Sequence, residues 1–537
     1  MARASHKYQT YYQDDYSGGL NDTDSPVEIA RNEASVLRNW DITAKGRLVR
    51  RPGITQVGST IHSSDPITGL GAFYRNGAKD LLCTVTTGLY YLNSATWTQI
   101  KNNLVNTTGL KFWFTNVQVE GKIYFGNEDN LFSYWDRAGT TLNSCITALA
   151  EADVPHGNVS VWHKNHMFHF NNVNVAGTKY PNRTYFSELG DPETYDLVAD
   201  FFEIPGAGAV VTAVDIGNYL AIFKERSVQI LSGYGAASWT ITTTTSNVAN
   251  VSEQVGISGI YAACRVGDEV WFMDDEGQIR RLYRTDQESF RTDIICTKIQ
   301  TTLAGLNRTR LDLVSAWTHD NKVYFSCPSS TDTVNTVELV FDVIAAKREA
   351  TAGRKAEAWT TYTGISASLL SDYPTASGVP DLIWGSSVSG KVFKRSGSDD
   401  AGVAIDARWD GKRDHYDKHT MYKRYYFGKI RGASSSGASS VGIHASVDAA
   451  SFANVGTLNL QSTGSTLGPT GSFLLGPTGT NRLGGATESE EPYLFTNGGG
   501  SASGTSLTMS IRHSTAGQRP TVGTFTNHYK DRVVRYG

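Results

Sequence analysis

The chain has 537 residues, more than one ordinary hydrophobic core organises, so two or three structural units are expected. Hydrophobic residues make up 39% and charged residues 19%, both low, while glycine (53) and aromatic residues (11%) are plentiful, which suits turns and strands; only 14 prolines and no long charge runs argue against a mostly disordered chain. A formal net charge of −3 excludes a global attraction to nucleic acid or anionic lipid, though not transient contact with DNA that only slides past.

Residues 1–60 open the chain with a distinct pattern. Met1 to Gln13 is polar, and no apolar run approaches the ~18 residues of a membrane span. Neither a signal peptide nor a transmembrane segment is therefore expected, and synthesis in a cytosol is. Ser25-Pro26-Val27-Glu28 reads as a capping box with proline at the first helical position. Val27, Ala30, Ala34 and Leu37 then share one helical face, which predicts a short helix over residues 26–38. It leads into Asn39-Trp40-Asp41-Ile42, a turn near Lys45-Gly46, and the basic stretch Arg47-Leu48-Val49-Arg50-Arg51-Pro52-Gly53.

Residues 61–400 carry a degenerate element that returns seven times: a polar turn, a short β-branched or aromatic run, and usually a second turn and run. The copies are centred on Leu81, Ile123, Met167, Leu220, Val270, Val323 and Leu382, at steps of 42 to 59 residues. Second runs are visible near Tyr90, Phe132, Gln229, Arg280, Leu339 and Val392. Short strands recurring at roughly 40–50 residues predict a β-propeller of six or seven blades. Residues 345–357 read as an inserted loop, and residues 286–302 as a second helical stretch.

Residues 401–537 change character again. Arg408-Trp409-Asp410-Gly411-Lys412 opens a polar stretch, and strands are predicted over 425–431, 441–445, 507–512 and 529–536. Between Gly464 and Gly504 glycine, serine and threonine dominate. This turn-rich stretch holds the doublet Leu467-Gly468-Pro469-Thr470-Gly471 and Leu475-Gly476-Pro477-Thr478-Gly479. The fold class expected is thus mostly β: a propeller at 61–400 inserted between terminal segments, 1–60 and 401–537, that form a β-rich platform with a short N-terminal helix.

Candidate chemistry is sparse. His163, His166 and His169 are the best metal candidates, but strand alternation turns His166 away from the other two, so structural histidines are expected. Asp274-Asp275-Glu276-Gly277 lacks the ligand spacing of a calcium loop and reads as an acidic turn. The odd count of five cysteines, without a Cys-x-x-Cys, reads as free buried thiols in a reducing compartment. No nucleophile elbow, phosphate loop, dinucleotide fingerprint or zinc-protease motif occurs, nor the aspartate boxes of sialidase-like propellers. No catalytic residue, metal or cofactor is assigned. Basic residues mixed with aromatics instead suggest interfaces: Arg47, Arg50 and Arg51 in the first segment, and Trp409, Lys423, Arg424, Tyr425 and Tyr426 in the last.

The opening carries a further signal. Gly18-Gly19-Leu20-Asn21, Asn32-Glu33-Ala34, Asn39-Trp40, Gly46-Arg47-Leu48 and Arg51-Pro52-Gly53 together resemble the start of the tail-nozzle (hub, or packaged-DNA stabilisation) proteins of short-tailed bacteriophages. The motif covers about 36 residues. The resemblance implies a structural virion protein of the tail, assembled in the host cytoplasm. It implies a ring, usually a homo-hexamer, below the portal and the head-to-tail adaptor ring. Tail fibre or needle proteins would be further partners, and double-stranded DNA a transient, non-specific contact. The ring would extend the DNA exit channel and retain packaged DNA until ejection. Two other readings compete: a glycan- or receptor-binding propeller, and a propeller glycoside hydrolase or lyase, which would need converging carboxylates.

Overall fold

Short strands joined by tight turns make up most of the chain. The computed structural model describes residues 8–75, 78–106, 109–140, 146–147, 156–173, 177–233, 235, 254–285, 289–374, 379–434, 439–460, 489–497 and 500–532. The Leu467/Leu475 doublet and Cys145 lie outside them.

Seven small antiparallel units follow one another, and each begins as a meander. Their first strands are Ile67–Arg75, Trp113–Val117, His156–His163, Val210–Asp215, Ala263–Val266, Ser315–His319 and Ala367–Pro374. Their second strands are Ala78–Val85, Lys122–Asn127, His166–Val173, Leu220–Lys224, Glu269–Met273, Lys322–Cys327 and Pro380–Ser386. All seven predicted repeat centres lie on these second strands. The turn before the second strand explains the polar residues of the repeat. Lys164 and Asn165, then Asp320 and Asn321, have φ between 46° and 62°, the left-handed pair that two-residue hairpins require. The second runs become third strands, such as Gly88–Asn93 and Val337–Asp342.

The second strands are apolar without alternation because both faces are covered. Leu81 and Cys83 pack with Ile383 and Val392 of the seventh unit, whereas Leu82 packs with Ile123 and Trp135 of the second. Ile222 similarly joins Phe168 and Phe170 of the third unit, and Phe223 joins Phe272 of the fifth. Burying one such side chain contributes about 1.5–3 kcal/mol. Each first strand contacts the first strand of the next unit, and Ala367–Pro374 contacts Ile67–Arg75. In the seventh unit the outermost strand, Ile54–His62, comes from far earlier in the chain and pairs with Gly390–Arg395.

Two larger sheets combine the chain ends. The sixth unit continues through Trp359–Thr363 into Glu33–Arg38, Ala407–Gly411, Leu507–His513, Ser439–Val447 and Ala453–Leu460, with Gly19–Leu20 beside Glu33–Arg38. The second sheet orders Ser489–Leu494, Tyr422–Ser434, Pro520–Arg532, Leu48–Arg50 and Trp40–Ile42, with Gln9–Gln13 added along Pro520–Arg532.

The structure corrects several expectations. No helix forms over residues 26–38. A turn, in which the Glu28 and Ile29 amides donate to the Ser25 carbonyl, gives way to the strand Glu33–Arg38. A bulge between Ala34 and Val36 places Ala34 and Leu37 in the same core, which mimics helical spacing. Residues 345–357 are not simply a loop: a helix spans Val343–Thr351, capped by Asp342, whose carboxylate accepts from the Ala345 amide at 2.8 Å. Over 286–302, of which 286–288 lie outside the described residues, Phe290–Ile294 is a strand and the helical part is confined to a 3-10 turn at Thr297–Ile299 running into the short helix Gln300–Ala304. Part of the glycine-rich stretch is also strand, at Ser489–Leu494 and Ser503–Gly504. The last described strand begins well before residue 529, at Pro520.

Candidate interaction surface

The N-terminal motif is an interior fastening. Gly19 has φ 69°, and a Cβ there would lie 2.8 Å from the Trp359 nitrogen. Asn21 donates to Glu33 at 3.0 Å, and Glu33 pairs with Lys298 at 2.9 Å. Burial opposes ionisation of Glu33, but the Lys298 ammonium outweighs it and holds the carboxyl below its usual pKa. Asn32 and Ser17 both donate to the buried Glu349, at 2.8 and 2.6 Å. Asn39, at φ 57°, accepts from the Arg51 Nε at 2.8 Å. Gly53 is required by space: a Cβ would sit 2.0 Å from the Asp399 carbonyl oxygen.

The basic stretch follows suit. Arg51 is fully buried and grips Asp400 with both terminal nitrogens, at 2.9 and 2.6 Å. Arg50 is also buried, donating to the carbonyls of Thr515 and Ser398, and burial pulls its pKa down to about 10. Half-buried Arg47 runs over Gly523. In the last segment Trp409 is interior, edge-on to Tyr16 at 5.3 Å and folded over Gly411, where a Cβ would lie 2.4 Å from the indole. Lys423 is buried with its ammonium on the carbonyls of Lys418, Met421 and Thr505 at 2.7–3.2 Å. Tyr425 is buried beside Phe495. Arg50, Arg51, Trp409, Lys423 and Tyr425 are thus buried within their own chain and are not surface contacts of it: alternation along Tyr422–Ser434 turns Lys423 and Tyr425 inward, and Arg51, just past the strand Leu48–Arg50, is drawn in by Asp400.

Arg424 and Tyr426 alternate to the other side, and with their neighbours they build an outer face. Along Tyr422–Ser434 it carries Tyr422, Arg424, Tyr426, Phe427, Lys429 and Arg431. Pro520–Arg532 adds His528 and Lys530, and Tyr8, Thr10 and Tyr12 line its far edge. Tyr8 meets Tyr426 edge-on at 5.1 Å, Phe427 stacks on His528 at 4.4 Å, and the Lys530 ammonium lies 4.2 Å from the Tyr8 ring centre. Glu490 takes both Lys429, at 2.8 Å, and Arg431, at 2.5 Å. Glu490 is thus shared by two cations of the face, and Lys530 adds another. Tyr8, Tyr12, Tyr422 and Leu494, all on this face, are 41–57% exposed. Alternation could have located the face in the sequence; the packing of Tyr8 against Tyr426 and Lys530, far along the chain, could not.

The three histidines go separate ways. His163 Nδ1 lies 2.6 Å from Asp215, and His166 Nδ1 lies 2.6 Å from the Ser187 carbonyl. His169 sits between Ser160 and Tyr195, where burial presses its pKa down to about 3. Asp274 forms the turn between two strands, accepting from Gln278 N at 2.7 Å and Arg280 Nε at 2.6 Å. Cys83, Cys264, Cys296 and Cys327 are free and buried. Among the described residues no three His, Cys, Asp or Glu side chains group as metal ligands, and no helix is long and apolar enough to cross a membrane. Sequence reasoning missed the buried pairs Asp41–Lys322, at 2.6 Å, and Glu338–Arg395.

No protein-family model matches the chain, and no curated protein matches it.

Proposed function

We propose that this chain is a structural subunit of a short-tailed phage nozzle, and that its seven small units form a seven-bladed β-propeller inserted into a platform. The observation that carries the reading is the pairing of the chain ends across the repeats. Gln9–Gln13 and Leu48–Arg50 pair with Pro520–Arg532, and Glu33–Arg38 pairs with Ala407–Gly411. An insertion into a pre-existing unit predicts such pairing. The succession of first-strand contacts back to the first unit supports the propeller, and the closing of the seventh unit by the early strand Ile54–His62 supplies a latch for it.

On this reading the motif resembling nozzle proteins is explained physically, since its glycines, asparagines and Arg51 fasten the platform to the sixth and seventh units. The role is mechanical and not enzymatic: a closed ring, six subunits by the resemblance, extends the DNA channel beneath portal and adaptor and holds DNA until the tail engages a host. A lumen of near-neutral chains lets DNA slide, where a strongly basic one would hold phosphates.

The test is electron microscopy of the purified chain mixed with portal–adaptor complexes. Ring density capping the adaptor supports the reading. Adaptors that stay bare at every ratio overturn it.

A further inference from the structure

The aromatic–basic face is poorly suited to stacking bases. Stacking needs open ring faces, and here Lys530 covers Tyr8, Arg424 lies 5.3 Å from the centre of Tyr426, and His528 covers Phe427. What remains exposed is a row of cations, two of them sharing Glu490, with ring edges and the apolar Leu494. Such a surface fits an acidic partner with aliphatic side chains.

The chain carries one. The loop at residues 187–200, between Lys179–Phe186 and Phe201–Glu203 of the third unit, holds Glu188, Asp191, Glu193, Asp196 and Asp200 and no lysine or arginine. Among the described residues, Glu193 is the one acid of this loop in an ion pair, with Lys122 at 2.5 Å. Leu189 and Val198 protrude from it, 70% and 86% exposed. The loop is pre-shaped: Asp191 accepts from the Glu193 amide and the Thr194 hydroxyl, Asp196 from the amides of Val198 and Ala199, and the Gly190 amide donates to Asn165 at 2.7 Å. A rigid projection loses little freedom on docking.

We propose that the aromatic–basic face of one copy receives the 187–200 loop of a second copy. Glu188 and Asp200 would meet Lys429, Arg431 and Lys530, and Leu189 and Val198 would meet Tyr12, Tyr422 and Leu494. The two surfaces differ, so the contact is head-to-tail, and repetition through a rotation closes a ring. The proposal deepens the nozzle reading and rests on its ring.

The test uses the full chain and light-scattering mass, alone and on adaptor complexes. A face variant carries K429E and R431E; a loop variant carries E188K, L189S and V198S, which spares the Asp191 and Asp196 hydrogen bonds. Circular dichroism verifies folding of both. Each variant is expected to lose assembly at least tenfold in concentration dependence; a loop variant bearing E188K alone, mixed with the face variant, is expected to regain part of it by charge exchange, whereas L189S and V198S remove the apolar contact and leave their share of the loss in place. Assembly by the unmodified chain with both variants unaffected overturns this contact and leaves the ring reading standing. A monomeric unmodified chain, with and without adaptor, overturns both. Loss in the face variant of retention on a random DNA duplex, with assembly unchanged, gives the face to nucleic acid and also overturns the contact.

Discussion

The seven small units and the two terminal sheets are built from the same kind of strand by opposite means. In the units, partners are sequence neighbours: Thr84 pairs with Leu89 across a tight turn. In the terminal sheets they lie at opposite ends of the chain: Gln9 pairs with Tyr529. The small units are held mainly by apolar faces pressed between adjacent sheets, whereas the terminal sheets add buried charges and glycine contacts that tie them to the repeats. Local pairing tolerates degenerate sequence, provided turns and apolar runs recur. Long-range pairing depends on individual residues, which is why the distinctive motif lies at an end.

The sharpest way to break the comparison is at the junction. Asp41 is buried; burial opposes its charge, but Lys322 and the Tyr362 hydroxyl hold its carboxyl below the usual range. Lys322→Met leaves that carboxylate unpaired, and chemical denaturation should show a loss of about 3–5 kcal/mol. In the repeats the corresponding break is a cavity. Leu81→Ala, at a fully buried position, should cost about 2–5 kcal/mol in the same measurement.

Acid compares the regions through two histidines. Burial presses His169, in the third unit, to a pKa of about 3 and His513, in a terminal sheet, to about 4, both from 6.5. Both are neutral in the fold, so below pH ~6.5 the unfolded chain takes up protons that the folded chain refuses. Stability is therefore complete above about pH 6.5 and falls as pH drops toward 4 and 3. At pH 5 each histidine accounts for about 2 kcal/mol, and melting curves of H169Q should show a shallower loss between pH 7 and pH 5 than the parent. The smallest effect belongs to the surface: Lys394→Met, breaking the half-exposed pair with Asp381, should change stability by less than about 1 kcal/mol.

The difference between the regions also sets what could be read from sequence. Every repeat centre fell on a second strand because its signal, a turn followed by an apolar run, is complete within a few residues. The N-terminal segment misled because a bulge gave Ala34 and Leu37 the spacing of a helix, and the strand that explains them, Ala407–Gly411, lies far along the chain. The helix Val343–Thr351 escaped because its covered face is Ala345, Ala346 and Glu349, too small and too polar to stand out. Among the interface residues, composition found the right strand, Tyr422–Ser434, but did not separate Arg424 and Tyr426, which face out, from Lys423 and Tyr425, which face in. The Arg50–Arg51 pair reads in the sequence as an interface contact, yet Arg51's partner is Asp400 of the same chain, a turn residue of the repeats.

The mass of the unmodified full chain in solution, by native mass spectrometry across a concentration series, tests the central claim most directly. A closed oligomer of one defined number, near six, formed alone or on adding adaptor rings, is the result expected. A monomer under every one of those conditions would contradict the account.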